Sequence, residues 1–520
     1  MSRPDPVRLR VYENLFAGIA EEMGIALARS AFSTNIKERL DLSCAVFDRE
    51  GEMLAHAAHI PVHLGSTPLS VRAAIEKLDL GPGDMALLND PYAGGTHLPD
   101  LTLVAPVWRG EEKIFYVANR AHHADVGGPV PGSMGPSQDI FGEGIRIPPV
   151  LLWRGGERVS EVWDLLLANM RLPDERKGDL DAQTAANRTG ERRLISLVET
   201  RGIEEIQTYG RHLLDHSERS VAEAIRGIPD GEYQFEDFLD NDGLGSRPIR
   251  IAVRIRVSGE KMTVDFSGTD PQTEGGMNAN YAITLSALFY VIRCIVPFEI
   301  PSSSGCLRSV ELITPEGSVV AATYPAGVAG GNVETSQRIV DVLLGALAQA
   351  VPERVPAAAQ GTMNNLAMGG YDPHRERHWS YYETIGGGMG AGPGWDGESG
   401  IQVHMTNTRN TPIEHLENEY PVRCTSYRIR PESGGRGERR GGDGIIREIE
   451  FLAPTRVTLL SERRSRQPYG LSGGEPGATG VDILIRGDQL LPLPAKGNFR
   501  AEKGDILKIA TPGGGGWGKS

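Results

Sequence analysis

From residue 8 to residue 32 apolar side chains recur at helical spacing, at Leu15, Ile19, Met23, Ile25, Leu27 and Ala31, with Pro6 just ahead as a helix-start signal. This pattern predicts one long amphipathic helix. The period then changes. Leu42 to Phe47 reads as a strand and Arg49-Glu-Gly51 as the turn of a hairpin, with Asp41 at the mouth of the strand. Residues 67–78 are predicted helical, Gly81-Pro-Gly-Asp84 ends them, and Met85-Ala-Leu-Leu88 forms a short buried strand. The stretches 101–108 and 113–119 pair as a hairpin around Arg109-Gly110.

Residues 160–226 read as helix-rich, with Leu165-Leu-Leu167, Leu194, Leu197, Ile203, Ile206 and Leu213 at suitable spacing. Strict alternation follows in Ile249 to Val257 and again in Met262 to Phe266. Buried helices are predicted at 284–296 and 334–351, an irregular loop at Gly386 to Gly394, and only strand and turn beyond residue 425. The whole predicts a mixed α+β, multi-domain protein. Its expected parts are an N-terminal α/β domain (1–230), a central mixed α/β domain (231–425) and a C-terminal β-rich domain (426–520).

Composition narrows the classes. A chain of 520 residues is long enough for roughly two to four domains, and 39% hydrophobic with 23% charged residues is ordinary for a globular protein. The net charge of −14, without a compensating basic face, argues against a nucleic-acid partner. Four scattered cysteines with no Cys-x-x-Cys pair exclude a zinc ribbon and fit a reducing cytoplasm. The start, Met1-Ser-Arg-Pro-Asp-Pro, lacks a signal pattern, and the longest apolar stretch, 281–296, is broken by Thr284, Ser286 and Arg293. A cytoplasmic location and no membrane span are therefore expected.

The chemistry concentrates in two glycine-flanked segments, Asn89-Asp-Pro-Tyr-Ala-Gly-Gly-Thr-His97-Leu-Pro-Asp100 and Asn119-Arg-Ala-His122-His123-Ala-Asp125-Val-Gly-Gly128. Both lie at ends of predicted strands. Imidazole nitrogens and carboxylate oxygens suit a borderline divalent cation such as Zn²⁺ or Mn²⁺. One reading makes His97, Asp100, His122 and Asp41 a single metal centre. The other makes them caps of tight turns, and spacing alone does not choose between them. His122 and His123 cannot both face one ion from an extended strand, because neighbours point to opposite faces. In that geometry Asp125 shares the face of His123. These two are the candidates for proton transfer or for orienting a ligand.

Other motifs weigh less. His56, His59 and His63 read better as structural residues than as a second metal cluster, with His63 and Gly65-Ser66 shaping a wall nearby. Gly513-Gly-Gly-Gly-Trp-Gly518-Lys519-Ser520 matches the phosphate-loop pattern but has no helix to follow it. The glycines between Glu432 and Gly442 lack the strand–helix frame of a dinucleotide site and read as a flexible, solvated turn. Ser302-Ser-Ser304 lacks a nucleophile elbow.

Taken in order, several stretches make the chain resemble the hydantoinase B / 5-oxoprolinase family, the B-type subunits related to acetone and acetophenone carboxylase subunits. They include Ile36-Lys-Glu-Arg-Leu-Asp41, Pro61-Val-His-Leu-Gly-Ser66, Gly95-Thr-His97-Leu-Pro-Asp100, Ala121-His-His-Ala-Asp-Val-Gly-Gly128, Glu143-Gly144, Ile147-Pro-Pro149 and Asn407-Thr-Arg-Asn-Thr-Pro412. The resemblance implies a metal-bearing subunit of an ATP-dependent hetero-oligomer. An A-type ATPase partner would phosphorylate a cyclic amide (hydantoin, 5-oxoproline or a related lactam), and this chain would complete its hydrolysis. It also implies that Asp41, His97, Asp100 and His122 are the metal ligands; His123 and Asp125 stay the candidates, from their own placement, for a catalytic or supporting role. A ketone carboxylase subunit and a non-catalytic scaffold for the ATPase are the alternatives.

Overall fold

The computed structural model describes residues 4–57 and 59–519. The first helix, α1 (Pro6–Ser30), starts where Asp5 accepts a hydrogen bond from the Val7 N–H at 2.9 Å and Pro6 supplies a fixed φ. It buries Tyr12, Phe16, Ile19, Met23 and Leu27 along one stripe.

That stripe packs on a seven-stranded antiparallel sheet. Its first five strands are β1 (Leu42–Asp48), β2 (Met53–His56), β3 (Met85–Leu88), β4 (Asp100–Arg109) and β5 (Glu112–His122). Strands Val150–Arg154 and Glu157–Arg158 complete it, in the spatial order β2, β1, β5, β4, β3 and then these two. The central strands are buried on both faces, so their middles, residues 103–108 and 114–118, read as continuous apolar runs and not as alternation. One face packs against α1 and the long helix Pro173–Arg201. The other is covered by helix Ser66–Lys77, on which helix Tyr281–Ile295 packs in turn, and this core continues to a second, four-stranded sheet that includes the alternating strand Ile249–Ser258.

Two further sheets form the C-terminal part. Strands Asn365–Asp372 and Arg377–Glu383 pair with Thr455–Leu460 and Lys496–Ala501, and Val422–Arg430 pairs with Gly444–Phe451. Their facing sides enclose a third core around Leu366, Tyr381, Ile449 and Leu507. Strands on both sides of residue 425 thus share the first sheet, and Val422–Arg430 in the second runs across that position. The fold is mixed helix and sheet with several domains, as the hydrophobic pattern predicts.

The glycine-rich segments differ from the expected loops. Ser433, Gly434, Gly435, Gly441 and Gly442 are buried, so this stretch is not a solvated turn. It runs backbone against backbone with residues 388–398 and 513–518: the Gly442 N–H donates to Met389 O, and the Gly514 N–H donates to Gly442 O, each at 2.9 Å. No helix includes the C-terminal glycines 513–518. Ser520, the last residue of the phosphate-loop pattern, lies outside the described residues.

Candidate metal centre

The register of the β4–β5 hairpin sets Asp100 directly opposite His122. On the other edge of β5, the His122 N–H donates to Asp41 O at 3.0 Å, just before β1 begins. Three adjacent strand ends therefore bring Asp41, His122 and Asp100 side by side, in the order β1, β5, β4. His97 joins them through a tight turn in which the Asp100 N–H donates to His97 O at 3.1 Å.

His97 Nε2 and His122 Nδ1 approach Asp100 Oδ1 at 3.1 and 3.2 Å. One ligand atom from each of these three residues lies within 4.8 Å of the others. Asp41 stands beside the triad, its Oδ2 3.9 Å from His122 Nδ1. It is 8% exposed, whereas His97, Asp100 and His122 are 0–3% exposed. The close approaches within the triad are not hydrogen bonds. His97 Nδ1 and Nε2, Asp100 Oδ1 and His122 Nε2 are all buried with no hydrogen-bond partner among the described residues. Polar atoms left this way cost stability, and water or a ligand normally completes them. The donor set, two imidazoles and a carboxylate, fits a borderline divalent cation.

The surroundings fix Asp100 as a carboxylate. Burial alone would raise its pKa, but the imidazoles of His97, His63 and His122 outweigh burial and hold it well below the usual range. Its second oxygen, Oδ2, accepts from the Thr96 hydroxyl and lies 3.2 Å from His63 Nε2. The Arg120 guanidinium, fully buried, donates to Thr102 Oγ1 and Ser70 Oγ at 2.8 and 2.7 Å. Burial lowers its pKa to about 10, against the pull of Asp100, so it stays cationic at neutral pH.

His123 and Asp125 lie away from the triad. His123 faces the helix Pro173–Arg201, its Nε2 2.9 Å from Gln183 Oε1, and burial lowers its pKa to about 4. Asp125 accepts from the Gly127 and Gly132 N–H groups at 2.9 and 3.0 Å and from Arg171 Nη1 at 3.0 Å. Its oxygens are committed to the loop that follows β5. His56 and His59 line a separate cavity of about 600 Å³ with Glu21, Tyr290 and Arg293. Burial lowers their pKa values to about 3 and about 4.

Three residues near the centre carry roles that local sequence pattern does not reveal. His63, expected in a wall, contacts Asp100 itself. Tyr382 stacks on His122, ring centroids 4.8 Å apart and planes 9° from parallel; no local motif marks it. Glu143, noticeable in the sequence only as half of the pair Glu143-Gly144, is buried beyond His97. Its Oε1 accepts from Val328 N, Ala329 N and Ser137 Oγ, while Oε2 has no partner among the described residues. Burial pushes its pKa up to about 7.

A buried imidazole–carboxylate centre at the ends of antiparallel strands, inside a multi-sheet mixed α/β fold, defines the class. The chain belongs to the hydantoinase B/oxoprolinase family, whose sequence profile matches residues 5–520. It is 40% identical over 546 residues to 5-oxoprolinase 1 of Arabidopsis thaliana, a match covering 99% of this chain but 42% of that protein. It is 32% identical to a Pseudomonas sp. (strain NS671) protein described as the B-type subunit of a D-/L-hydantoinase, covering 100% of this chain and 90% of that one. Among solved structures it resembles the ATP-dependent caprolactamase of Pseudomonas jessenii, with a TM-score of 0.93 and 29% identity over 100% of this chain and 92% of that chain. The chain thus spans less than half the length of the plant oxoprolinase, while nearly matching the subunit-sized relatives.

Proposed function

We propose that this chain is the metal-bearing B-type subunit of an ATP-dependent cyclic amidase. The observation that carries the reading is the convergence of buried, unsatisfied donors from His97, Asp100 and His122. These three, with Asp41 as a fourth donor, would hold Zn²⁺ or Mn²⁺. A divalent cation there would lower the pKa of water and polarise a carbonyl or phosphoryl oxygen. Asp100 stays ionised and Arg120 supplies a fixed positive charge behind it. Asp41, the most exposed of the four, marks the side from which a substrate would arrive. His123 and Asp125 are assigned supporting roles: they pin the end of β5 from the opposite face.

The caprolactamase and oxoprolinase relatives support a ring amide as substrate, such as 5-oxoproline, a hydantoin or another lactam. An amide resists attack by water, and phosphorylation of its oxygen creates a good leaving group. That step is assigned to an A-type ATPase partner, a role supported by the description of the Pseudomonas hydantoinase relative as one subunit of a larger enzyme. This division of labour makes the enzyme a hetero-oligomer, and its use of ATP fits a cytoplasmic location. The test is to co-purify the chain with its cognate ATPase and incubate it with ATP and each ring amide. ADP and ring-opened acid should appear only when both proteins are present. Incorporation of labelled bicarbonate without ring opening would make the complex a carboxylase. A metal content below about 0.1 per chain would favour a scaffold instead.

A further inference from the structure

His122 is the one ligand candidate whose ring lies flat against another aromatic ring. Tyr382 stacks on it, and a chain of hydrogen bonds fixes Tyr382 in turn. The Tyr382 hydroxyl donates to Asn365 Oδ1 at 2.6 Å. Asn365 Nδ2 donates to Glu334 Oε1 at 2.6 Å and to Leu460 O at 2.7 Å. Flipping this amide would set its oxygen against two acceptors, so the amide orientation is determined and the phenol must be the donor. All four side chains are buried. The Arg39 guanidinium also packs on the Tyr382 ring, 5.0 Å from its centroid, and donates to Tyr382 O at 2.8 Å.

Glu334 sits in an unusual piece of backbone. Residues Gly331–Thr335 form a π-helical turn ahead of the helix Ser336–Leu347. Such turns shift side chains out of α-helical register and concentrate at functional sites. Glu334 Oε1 takes both Asn365 Nδ2 and the Met363 N–H, the latter at 3.0 Å, while Oε2 has no partner among the described residues. Burial pushes the Glu334 pKa up to about 8, so at neutral pH the group serves as a hydrogen-bond acceptor and not as a charge.

We propose that Tyr382, held by Asn365 and Glu334, is the positioning residue that fixes the imidazole plane of His122 for cation binding. The inference rests on the metal reading given above and deepens it: the C-terminal sheet helps set the geometry of a centre built on the N-terminal sheet. Outer residues that orient a ligating imidazole typically change metal affinity by about 10–100-fold.

The experiment uses the purified full-length chain, stripped of metal and titrated with Co²⁺. Affinity is read by competition with a chromogenic chelator, geometry by the visible absorption of Co²⁺, and folding by the melting temperature of the metal-free protein. Y382F keeps the ring and loses the tether. It should weaken Co²⁺ binding about tenfold and shift the absorption band. E334A should do the same, whereas E334Q retains the acceptor and should bind as the wild type does. Unchanged affinity and spectrum in Y382F and E334A would overturn the proposal. So would losses that track melting temperature equally in all three variants, E334Q included. A wild-type chain that takes up no Co²⁺ would overturn the metal reading itself, and this inference with it.

Discussion

His63 Nε2 lies 3.2 Å from Asp100 Oδ2, and neither side chain is more than 1% exposed. The two oxygens of Asp100 are thereby divided: Oδ2 is tied to His63 and Thr96, and Oδ1 is left facing His97 and His122. On its far side His63 Nδ1 lies 2.8 Å from Ser43 Oγ, which anchors the imidazole to β1. His63→Ala should remove one of the two groups that orient the carboxylate. The expected outcome is a loss of about 1–3 kcal/mol in stability, measured by urea unfolding, together with a lowered metal content. A variant that loses stability but keeps its full metal complement would show that His63 only fills the wall.

His97→Ala and His122→Ala should separate binding from folding. His97 loses two buried nitrogen atoms that lack hydrogen-bond partners among the described residues, and His122 loses one. Each substitution also removes an imidazole that helps to hold Asp100 ionised and leaves a small cavity. The metal-free variants should therefore stay folded but melt below the metal-free wild type, while metal per chain and ATP-dependent turnover both collapse. Retention of normal turnover by either variant would remove that residue from the site.

The chain signals these elements unevenly. The short strand Met85–Leu88 and the hairpin of β4 and β5 are legible because apolar runs and turn residues are local. The pairing of Asp100 with His122 follows from that hairpin once its register is known. The neighbouring position of Asp41 depends on β1 pairing with β5, a contact between distant stretches that local pattern does not encode. Tyr382 and Glu334 are further removed still, since they reach the centre only when the C-terminal sheet docks. The glycine segments mislead for a different reason. Absence of side chains marks both a mobile loop and a place where two backbones touch, and composition alone does not separate them.

Glu143 gives a pH dependence with a definite sign. Burial raises its pKa from 4.5 to about 7, so the folded state favours the protonated form. Its stabilising contribution is fully present below about pH 4.5 and is lost as pH rises through about 7. At about 1.4 kcal/mol per pKa unit the loss is on the order of 3 kcal/mol. Glu143→Gln keeps an acceptor for Val328 N, Ala329 N and Ser137 Oγ but cannot ionise. Relative to the wild type, it should gain stability between pH 4.5 and 7.5 in urea titrations. Parallel stability profiles across that range would rule out a buried, neutral Glu143.

The C-terminal glycines supply the sharpest contrast between motif and packing. Read as a phosphate loop, residues 513–520 would need Lys519 for nucleotide, and Gly514, at a free position of the pattern, would tolerate alanine. The packing demands the opposite. A Cβ on Gly514 would lie 2.0 Å from Met389 O and 2.3 Å from the carbonyl carbon of Met389, and backbone atoms cannot rotate away as a side chain can. The same residue donates to Gly442 O at 2.9 Å and accepts from the Gly435 N–H at 2.8 Å, so moving it disturbs two neighbouring segments. Gly514→Ala should cost about 3 kcal/mol through overpacking, or prevent accumulation of folded protein altogether. Lys519 is exposed, and Lys519→Ala should change stability by no more than about 0.5 kcal/mol and leave ATP-dependent activity of the complex intact. Unfolding curves and turnover for the two variants decide the matter: abolished turnover in Lys519→Ala with a stable Gly514→Ala would restore the nucleotide reading.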